Sequence, residues 1–183
     1  DELAFKRNER EFFNHLLCEQ PNGDFGKTII RQFFFDSFYL LFLAKLIKSK
    51  DSQLAAISQK SLKEVAYHFR HSSQWVIRLG DGTKKSQKKL QNAINELWIF
   101  TDELFIMNDL DKMMVKQKNR VDRQILKVEW DKKIDKVFKK ATLKRPKKGH
   151  IISGGKEGIH SEHLGHLLSD MQYLQRAYPD AKW

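Results

Sequence analysis

Three residues that could bind a metal ion stand at helical spacing in the middle of the chain. Glu64, His68 and His71 occupy positions i, i+4 and i+7, so they share one face of a predicted helix. Carboxylates and imidazoles that face the interior of a helical bundle are the ligands of di-iron sites. The first chemistry to consider is therefore that of a di-iron carboxylate centre.

A second group of such residues lies near the C-terminus. His160, His163 and His166 are three residues apart, and Glu162 stands among them. With the first group and Glu103, they could form the two halves of a metal site. Alternatively, these histidines and carboxylates hydrogen-bond one another across a bundle that holds no metal. We favour the second interpretation, because incomplete ligand sets rarely hold a metal tightly.

The paired ligands of a di-iron site are mostly missing. Such a site needs a Glu-x-x-His pair from each of two helices, but Tyr67 occupies the histidine position after Glu64. Glu157 and His160 form a formal pair, yet they lie in a glycine-containing stretch where ligand geometry would be poorly held. The sequence therefore predicts no metal and no catalytic residue, but a degenerate polar cluster of Glu64, His68, His71, Glu103, Glu162 and His163.

Helices must position these residues, because the chain offers few turns and no alternating strand pattern. Nine glycines and three prolines are few for 183 residues. Apolar periodicity and stop signals predict helices over residues 3–19, 25–48, 53–79, 86–105, 121–141 and 160–178. Long helices with short connections indicate one all-α bundle domain over residues 1–183. We expect its core to contain Phe33, Phe34, Leu41, Leu62, Phe69, Leu97, Leu104 and Leu174.

Composition indicates the cellular compartment of the protein and excludes several classes of protein. Cys18 is the single cysteine, which excludes an intramolecular disulfide framework and a four-cysteine zinc site. The longest unbroken apolar run covers residues 38–44 and is well short of the ~20 residues that a membrane span needs. These features predict a cytoplasmic protein with no membrane contact.

The basic charge is concentrated in one stretch. Lys and Arg number 34 against 23 Asp and Glu, a net charge of +11, and residues 127–148 hold ten of the basic residues. Nucleic acid, coenzyme A, an acidic partner and a solvated face are the alternatives. Trp130 and Phe138 are the only aromatic residues in the stretch, and no nucleic-acid-binding signature accompanies it. We therefore favour the solvated face over a nucleic-acid partner.

Six runs of residues go beyond general helix chemistry. They are EQPNGDF at 19–25, LAAI at 54–57, KEVAYH at 63–68, RLGDGT at 78–83, GGKEGIHSEHLG at 154–165 and MQYLQR at 171–176. In this order they resemble the C subunits of bacterial phenylacetyl-CoA epoxidases, which act in phenylacetic acid degradation. The resemblance extends over essentially the whole chain.

The resemblance implies a ferritin-like bundle within a multicomponent oxygenase of aerobic phenylacetate catabolism. In such a complex the A subunit holds the di-iron site and inserts one oxygen atom of O2 into the aromatic ring. The resemblance implies that this chain binds and stabilises the A subunit and holds no cofactor of its own. It also implies further small and reductase subunits as partners, and a homo-oligomer when the chain is alone.

Two alternatives to this structural role stay open at the level of the sequence. In one, the chain is itself a di-iron or dimanganese oxygenase subunit that binds metal through Glu64, His68, Glu103, Glu162 and His163. In the other, it is a basic helical nucleic-acid-binding protein. Members of the family begin with a further helical segment before the position of Asp1, so the resemblance implies that this sequence lacks the first segment of the bundle.

Overall fold

The computed structural model describes residues 2–119, 121–147 and 149–181. Within these ranges the chain forms helices and no strand, which confirms the predicted all-α, ferritin-like bundle. None of the described helices is long and apolar enough to cross a membrane. The α-helices are α1 (Leu16–Glu19), α2 (Phe25–Leu46), α3 (Ser52–Gly80), α4 (Lys84–Leu97), α5 (Asp109–Lys116), α6 (Arg123–Lys140) and α7 (Glu162–Ala177).

Capping side chains set where the long helices begin. The Asp24 carboxylate accepts a hydrogen bond from the Lys27 N–H at the start of α2. Asp51 caps α3 in the same way, and Thr83 forms a capping box with Ser86 at the start of α4. These side chains satisfy amide groups that have no partner inside the helix. The predicted starts of these three helices therefore lie within two residues of the observed ones.

Helix α2 lies at the centre of the bundle and packs against α3, α4 and α6. Its Phe33 and Phe34 are fully buried, as is Trp130 of α6. The Trp130 indole N–H donates to the Phe34 carbonyl oxygen at 3.1 Å, which satisfies the polar atom of this buried ring. The Phe34 ring also meets Trp98 edge-on, with 5.6 Å between centroids. Aromatic packing around α2 therefore forms the middle of the core.

The predicted core is confirmed on α2, on α4 and at Leu104, in part on α3, and not on the last helix. Five of its eight members are buried, and Leu62 and Phe69 are partly buried. Leu174 is 48% exposed, so its predicted burial is wrong. Helix α7 turns the face of Leu164, Leu168 and Gln172 inward, towards the N-terminal segment. Leu174 lies on the opposite face of that helix, because two residues correspond to about 200° of helical rotation.

The first predicted helix, over residues 3–19, is wrong as a continuous element. The chain forms a π-helical turn at Glu2–Lys6, a 3-10 turn at Glu9–Glu11 and then the short helix α1. Asn8 and Glu11 form a capping box that starts a new turn inside the predicted helix. The Gln172 side chain of α7 donates to the Ala4 and Arg7 carbonyl oxygens. These two carbonyl oxygens thus accept hydrogen bonds from a side chain of α7 instead of from amides of a continuous N-terminal helix.

The region after α4 also differs from its prediction. Helix α4 ends at Leu97, and the chain continues through 3-10 turns at Trp98–Phe100 and Asp102–Phe105 rather than as one helix to residue 105. Asn108 then caps α5, a helix that lies between the predicted helices over residues 86–105 and 121–141 and was not among those predicted. The second 3-10 turn carries Glu103 into the protein interior. This placement decides what the Glu103 carboxylate can contact.

Candidate functional site

The three candidate ligands on α3 lie on its outer face. The side chain of Glu64 is 75% exposed and that of His68 is 43% exposed, with 3.9 Å between the carboxylate and His68 Nε2. His71 is exposed and stacks on Tyr67, with 6.3 Å between ring centroids. The buried residues of α3 lie on another face, which packs on α2. The expectation that Glu64 hydrogen-bonds to histidines across the interior of the bundle is therefore wrong.

Of the remaining three candidates, Glu103 is buried, and its carboxylate accepts hydrogen bonds from backbone N–H groups. Its Oε2 accepts a hydrogen bond from the Leu16 N–H at 2.6 Å. Glu162 is exposed and His163 is half-buried, both in the first turn of α7. The six predicted residues thus do not form one polar cluster, because they lie on separate faces and segments.

A di-iron centre does not fit the described residues. In residues 2–119, 121–147 and 149–181, no group of three His, Cys, Asp or Glu side chains could hold a metal ion. The buried Glu103 carboxylate already accepts three amide hydrogen bonds. The polar groups of this region serve instead to join segments that are distant in sequence.

Glu103 joins three segments, which we call the Glu103 junction. Besides Leu16 at the start of α1, its carboxylate accepts from the N–H groups of Gly154 and Gly155, each at 2.9 Å. A Cβ at Gly155 would collide with the backbone oxygen of Asn14, so the close approach of the two segments requires glycine. Burial raises the pKa of Glu103, and the three amide donors partly oppose that rise. The junction thus fixes the loop before α7 against the bundle.

Glu19 forms a second junction between the N-terminal segment and α7. Its Oε1 lies 2.6 Å from His160 Nδ1 and accepts from the Asn14 side chain at 2.7 Å. Its Oε2 accepts from both the N–H and the hydroxyl of Ser161, each at 2.8 Å. Although burial alone would raise it, the hydrogen bonds from Ser161, His160 and Asn14 hold the pKa of Glu19 below its usual value.

His160 completes this second junction. Its Nε2 lies 2.9 Å from the Phe12 carbonyl oxygen, and its side chain is fully buried. Both ring nitrogens therefore lie within hydrogen-bonding distance of an oxygen atom. The sequence grouped His160 with the other histidines of the last helix, but its partner is Glu19. The sequence signal for this pair was that Glu19 lies in the run at 19–25 and His160 in the run at 154–165. In the structure these two runs contact each other at this junction.

A third junction surrounds the buried carboxylate of Asp111 on α5. The Lys156 amine contacts this carboxylate and also donates to the Ile106 carbonyl oxygen at 3.1 Å. Arg123 lies 3.6 Å from Asp111. His15 lies nearby, and burial, followed by the positive charges of Arg123 and Lys156, lowers its pKa to about 4. His15 is therefore neutral at physiological pH, and the Arg123 and Lys156 cations near it both contact the Asp111 carboxylate.

The basic stretch is partly neutralised by carboxylates on α6. Arg145 contacts Asp131 at 3.0 Å and Asp135 at 3.1 Å. Lys127 also contacts Asp131, at 2.7 Å. Lys148 lies outside the described residues. A solvated face for the rest of the stretch stays a prediction.

Many apolar side chains remain exposed after the core is filled. Exposed apolar surface in clusters marks sites of protein–protein contact, whereas single exposed residues need no explanation. The large apolar residues at least 41% exposed are Leu3, Phe13, Phe25, Ile57, Tyr67, Ile106, Leu110, Met113, Ile125, Val128, Ile151, Ile159, Leu167, Tyr173, Leu174 and Tyr178. These residues lie on α2, α3, α5, α6 and α7, on the segments that precede α1, α5 and α7, and directly after α7.

Comparisons with known proteins agree with the resemblance that the sequence motifs indicate. The model of the family described as "Phenylacetic acid catabolic protein" matches residues 1–183. The chain is 46% identical over 183 residues to the C subunit of the 1,2-phenylacetyl-CoA epoxidase of Escherichia coli (strain K12). That alignment covers 100% of this chain and 74% of the relative.

Proposed function

Because the chain belongs to the phenylacetic acid catabolic protein family, we propose that it is a structural, non-catalytic subunit of a phenylacetyl-CoA epoxidase. Its role is to bind and stabilise the di-iron catalytic A subunit of that complex in aerobic phenylacetate catabolism. The relative from Escherichia coli is named as a subunit of such an epoxidase, which supports a place in the same pathway. The structural, non-catalytic role is inferred from the contacts that the residues of this chain make.

The observation that carries the proposal is the use of the buried carboxylates. Both carboxylate oxygens of Glu103 accept hydrogen bonds, from the N–H groups of Leu16, Gly154 and Gly155. Both carboxylate oxygens of Glu19 are also engaged, by the His160 ring and by the Ser161 N–H. A carboxylate that binds a metal needs a free lone pair directed at the metal, and neighbouring side chains that bind the same metal ion. In these two junctions the carboxylates instead hold separate segments together, as a structural subunit requires.

The di-iron centre belongs to the A subunit, and this chain holds no metal. Further small and reductase subunits complete the complex, and this chain forms a homo-oligomer when it is alone. The exposed apolar residues support such contacts, because permanent interfaces are more apolar than ordinary surface and typically bury over ~2,000 Å².

A binding partner that recognises only the folded A subunit would raise its stability by mass action. This gain grows with the concentration of the partner relative to its dissociation constant, and no chemistry in the partner is needed. For a role in stabilising the A subunit, the important residues of this chain are those that keep its binding surface rigid. The Glu103 and Glu19 junctions serve that purpose, because they tie the N-terminal segment and α7 to the bundle.

Light scattering of this chain with and without the cognate A subunit tests the proposal. We expect self-association of the isolated chain and a hetero-complex of larger mass on mixing, with iron in the A subunit after the two are separated. A chain that stays monomeric in the presence of the A subunit would end the structural hypothesis. Stoichiometric iron in this chain would favour the alternative of a second di-iron or dimanganese subunit.

A further inference from the structure

Two lysine-rich segments that are distant in sequence lie side by side at one end of the bundle. The Gln87 side chain on α4 donates to the Thr142 hydroxyl at 2.6 Å and to the Thr142 carbonyl oxygen at 3.2 Å. One turn further along α4, the Gln91 side chain donates to the Lys144 carbonyl oxygen and accepts from the Lys144 N–H, each at 2.9 Å. These bonds join the start of α4 to the segment that follows α6.

The surface formed by residues 80–91 and 139–147, which we call the basic end, carries positive charge that the described residues leave largely unpaired. The two segments contain nine Lys and Arg residues and one carboxylate, that of Asp81. Lys89 and Arg145 contact carboxylates of other segments at 2.9 to 3.1 Å. The other basic residues are exposed and form no ion pair with any described residue; they are Lys84, Lys85, Lys88, Lys139, Lys140, Lys144 and Lys147.

The lysines at the start of α4 act against the helix that carries them. The first turn of α4 contains Lys84 and Lys85 and no acidic residue, although the positive end of a helix dipole favours acidic side chains there. Lys84 and Lys88 are also four residues apart, a spacing at which like charges destabilise a helix. Conflicts of this kind are typical of functional surfaces, because they lower stability and are kept where another requirement outweighs that loss.

A groove of about 520 Å³ crosses the basic end between α4 and the segment after α6. Lys88 lines it on one side and Lys144 on the other, together with the amide side chains of Asn92 and Asn95. Its described lining contains no carboxylate. Lysine amines and side-chain amides both donate hydrogen bonds to carboxylate oxygens. The groove therefore suits the aspartate and glutamate side chains of a partner.

The basic end lacks the apolar anchors of a permanent interface. None of the exposed large apolar side chains belongs to its two described segments. Phe25 lies at its edge in a small cleft with Lys89, and the Phe25 ring packs edge-on against Trp75. Permanent interfaces depend on buried anchors, whereas transient redox partners meet over small areas. Charge complementarity in such encounters mainly raises the rate of association. The surface therefore fits an acidic partner that binds and leaves.

We propose that the basic end docks an acidic surface of the reductase that supplies electrons to the di-iron A subunit. The inference rests on the proposed function and adds to it the surface on which the electron donor binds. Insertion of one oxygen atom of O2 leaves the other atom to be reduced to water, so electrons must be delivered again in every turnover. The reductase is thus the partner that must bind repeatedly, whereas the A subunit is bound permanently.

Other anionic ligands are poorer matches for the basic end. Its two segments contain no aromatic residue on which a nucleic-acid base could stack. The lysines without an ion pair lie on both segments, so the phosphates of one coenzyme A molecule could contact few of them. Nucleic acid and coenzyme A are therefore included as outcomes of the test.

Charge reversal in the groove tests the inference through the rate at which the reductase binds the reconstituted complex. The test variant combines Lys88→Glu and Lys144→Glu, which places an acidic side chain on each side of the groove. At low salt we expect the association rate constant for the reductase to fall about tenfold. The difference should shrink at high salt, because exposed charges are screened.

The matched control combines Lys60→Glu and Lys63→Glu on α3, outside the basic end. Both lysines are exposed and form no ion pair with a described residue, so the net charge changes by the same amount. We expect the control complex to bind the reductase within about twofold of the wild-type rate. Lys85→Glu with Lys140→Glu is a second test pair on the same two segments, and it decides the test if the first pair fails to fold.

Stopped-flow mixing with the reductase and light scattering with the A subunit separate the outcomes. If the wild-type chain does not bind the A subunit, the proposed function fails, and the docking inference fails with it. If the complexes with the test pairs assemble and bind the reductase as fast as the control, the docking inference alone is overturned. It is also overturned if the test pairs weaken binding of the A subunit, phenylacetyl-CoA or a short duplex DNA and leave reductase binding unchanged, because that ligand is then the occupant.

Discussion

Glu103→Ala should be among the most destabilising single substitutions in the chain. Glu103 is 2% exposed and accepts three backbone N–H groups from two distant segments. Each buried donor that loses its partner costs about 1–3 kcal/mol. Water reaches part of the vacated space, and the burial cost of the carboxylate disappears with the side chain. We therefore expect the free energy of unfolding to fall by about 3–5 kcal/mol.

Glu103→Gln divides the junction into its two halves. An amide oxygen in the position of Oε1 keeps the bonds from Gly154 and Gly155, while the amide NH2 then faces the Leu16 N–H. The variant should lose about 1–3 kcal/mol, because one buried donor is unsatisfied and the charge is lost. Glu64→Ala is the matched control, since its side chain is 75% exposed, and it should change stability by less than about 0.5 kcal/mol.

Chemical denaturation of the four proteins gives the free energies of unfolding, and amide hydrogen exchange locates the effect. In Glu103→Ala the amides of Leu16, Gly154 and Gly155 should exchange faster than in the wild type, while the core amides of α2 change only with global stability. A loss below about 1 kcal/mol, with these three amides still protected, would refute the role of the junction.

Three further predictions concern pH, backbone packing and the core. The pKa of His15 is about 4 in the folded protein against 6.5 when unperturbed, so the unfolded chain binds its proton first. Stability should fall by about 3 kcal/mol between pH 6.5 and 4, and pH-dependent denaturation should show a smaller fall for His15→Leu. Gly155→Ala should lose about 1–3 kcal/mol through collision with the Asn14 carbonyl oxygen. Gly149→Ala, whose Cβ would lie in ordinary contact 4.0 Å from the Lys147 carbonyl oxygen, should stay within about 0.5 kcal/mol in the same assay. Leu97→Ala should lose about 2–5 kcal/mol because Leu97 is 1% exposed, and thermal unfolding should show a much smaller loss for Leu174→Ala; equal losses would contradict the core described above.

Local signals predicted most of the helices correctly. Asp24 and Asp51 start helices through hydrogen bonds to amides two or three residues away, and such short-range chemistry is visible in a sequence. The all-α fold follows from the same signals. The resemblance to the family came from ordered runs of residues and not from reasoning about chemical groups.

The arrangement of the polar residues could not be predicted in the same way. Spacing correctly placed Glu64 and His68 on one face of a helix, but it could not tell whether that face is covered. Glu19 and His160 are 141 residues apart, and Glu103 is 87 residues from Leu16. No local pattern reports such pairings, because they depend on how the N-terminal segment and the loop before α7 pack.

The most direct test of the structural role is turnover of phenylacetyl-CoA by the reconstituted complex. The A subunit is loaded with iron, and this chain is treated with a chelator before mixing. We predict full turnover with the chelator-treated chain and a large loss when the chain is left out, because its contribution is binding and stabilisation. Turnover that requires iron in this chain, or that is unchanged when the chain is absent, would contradict the account.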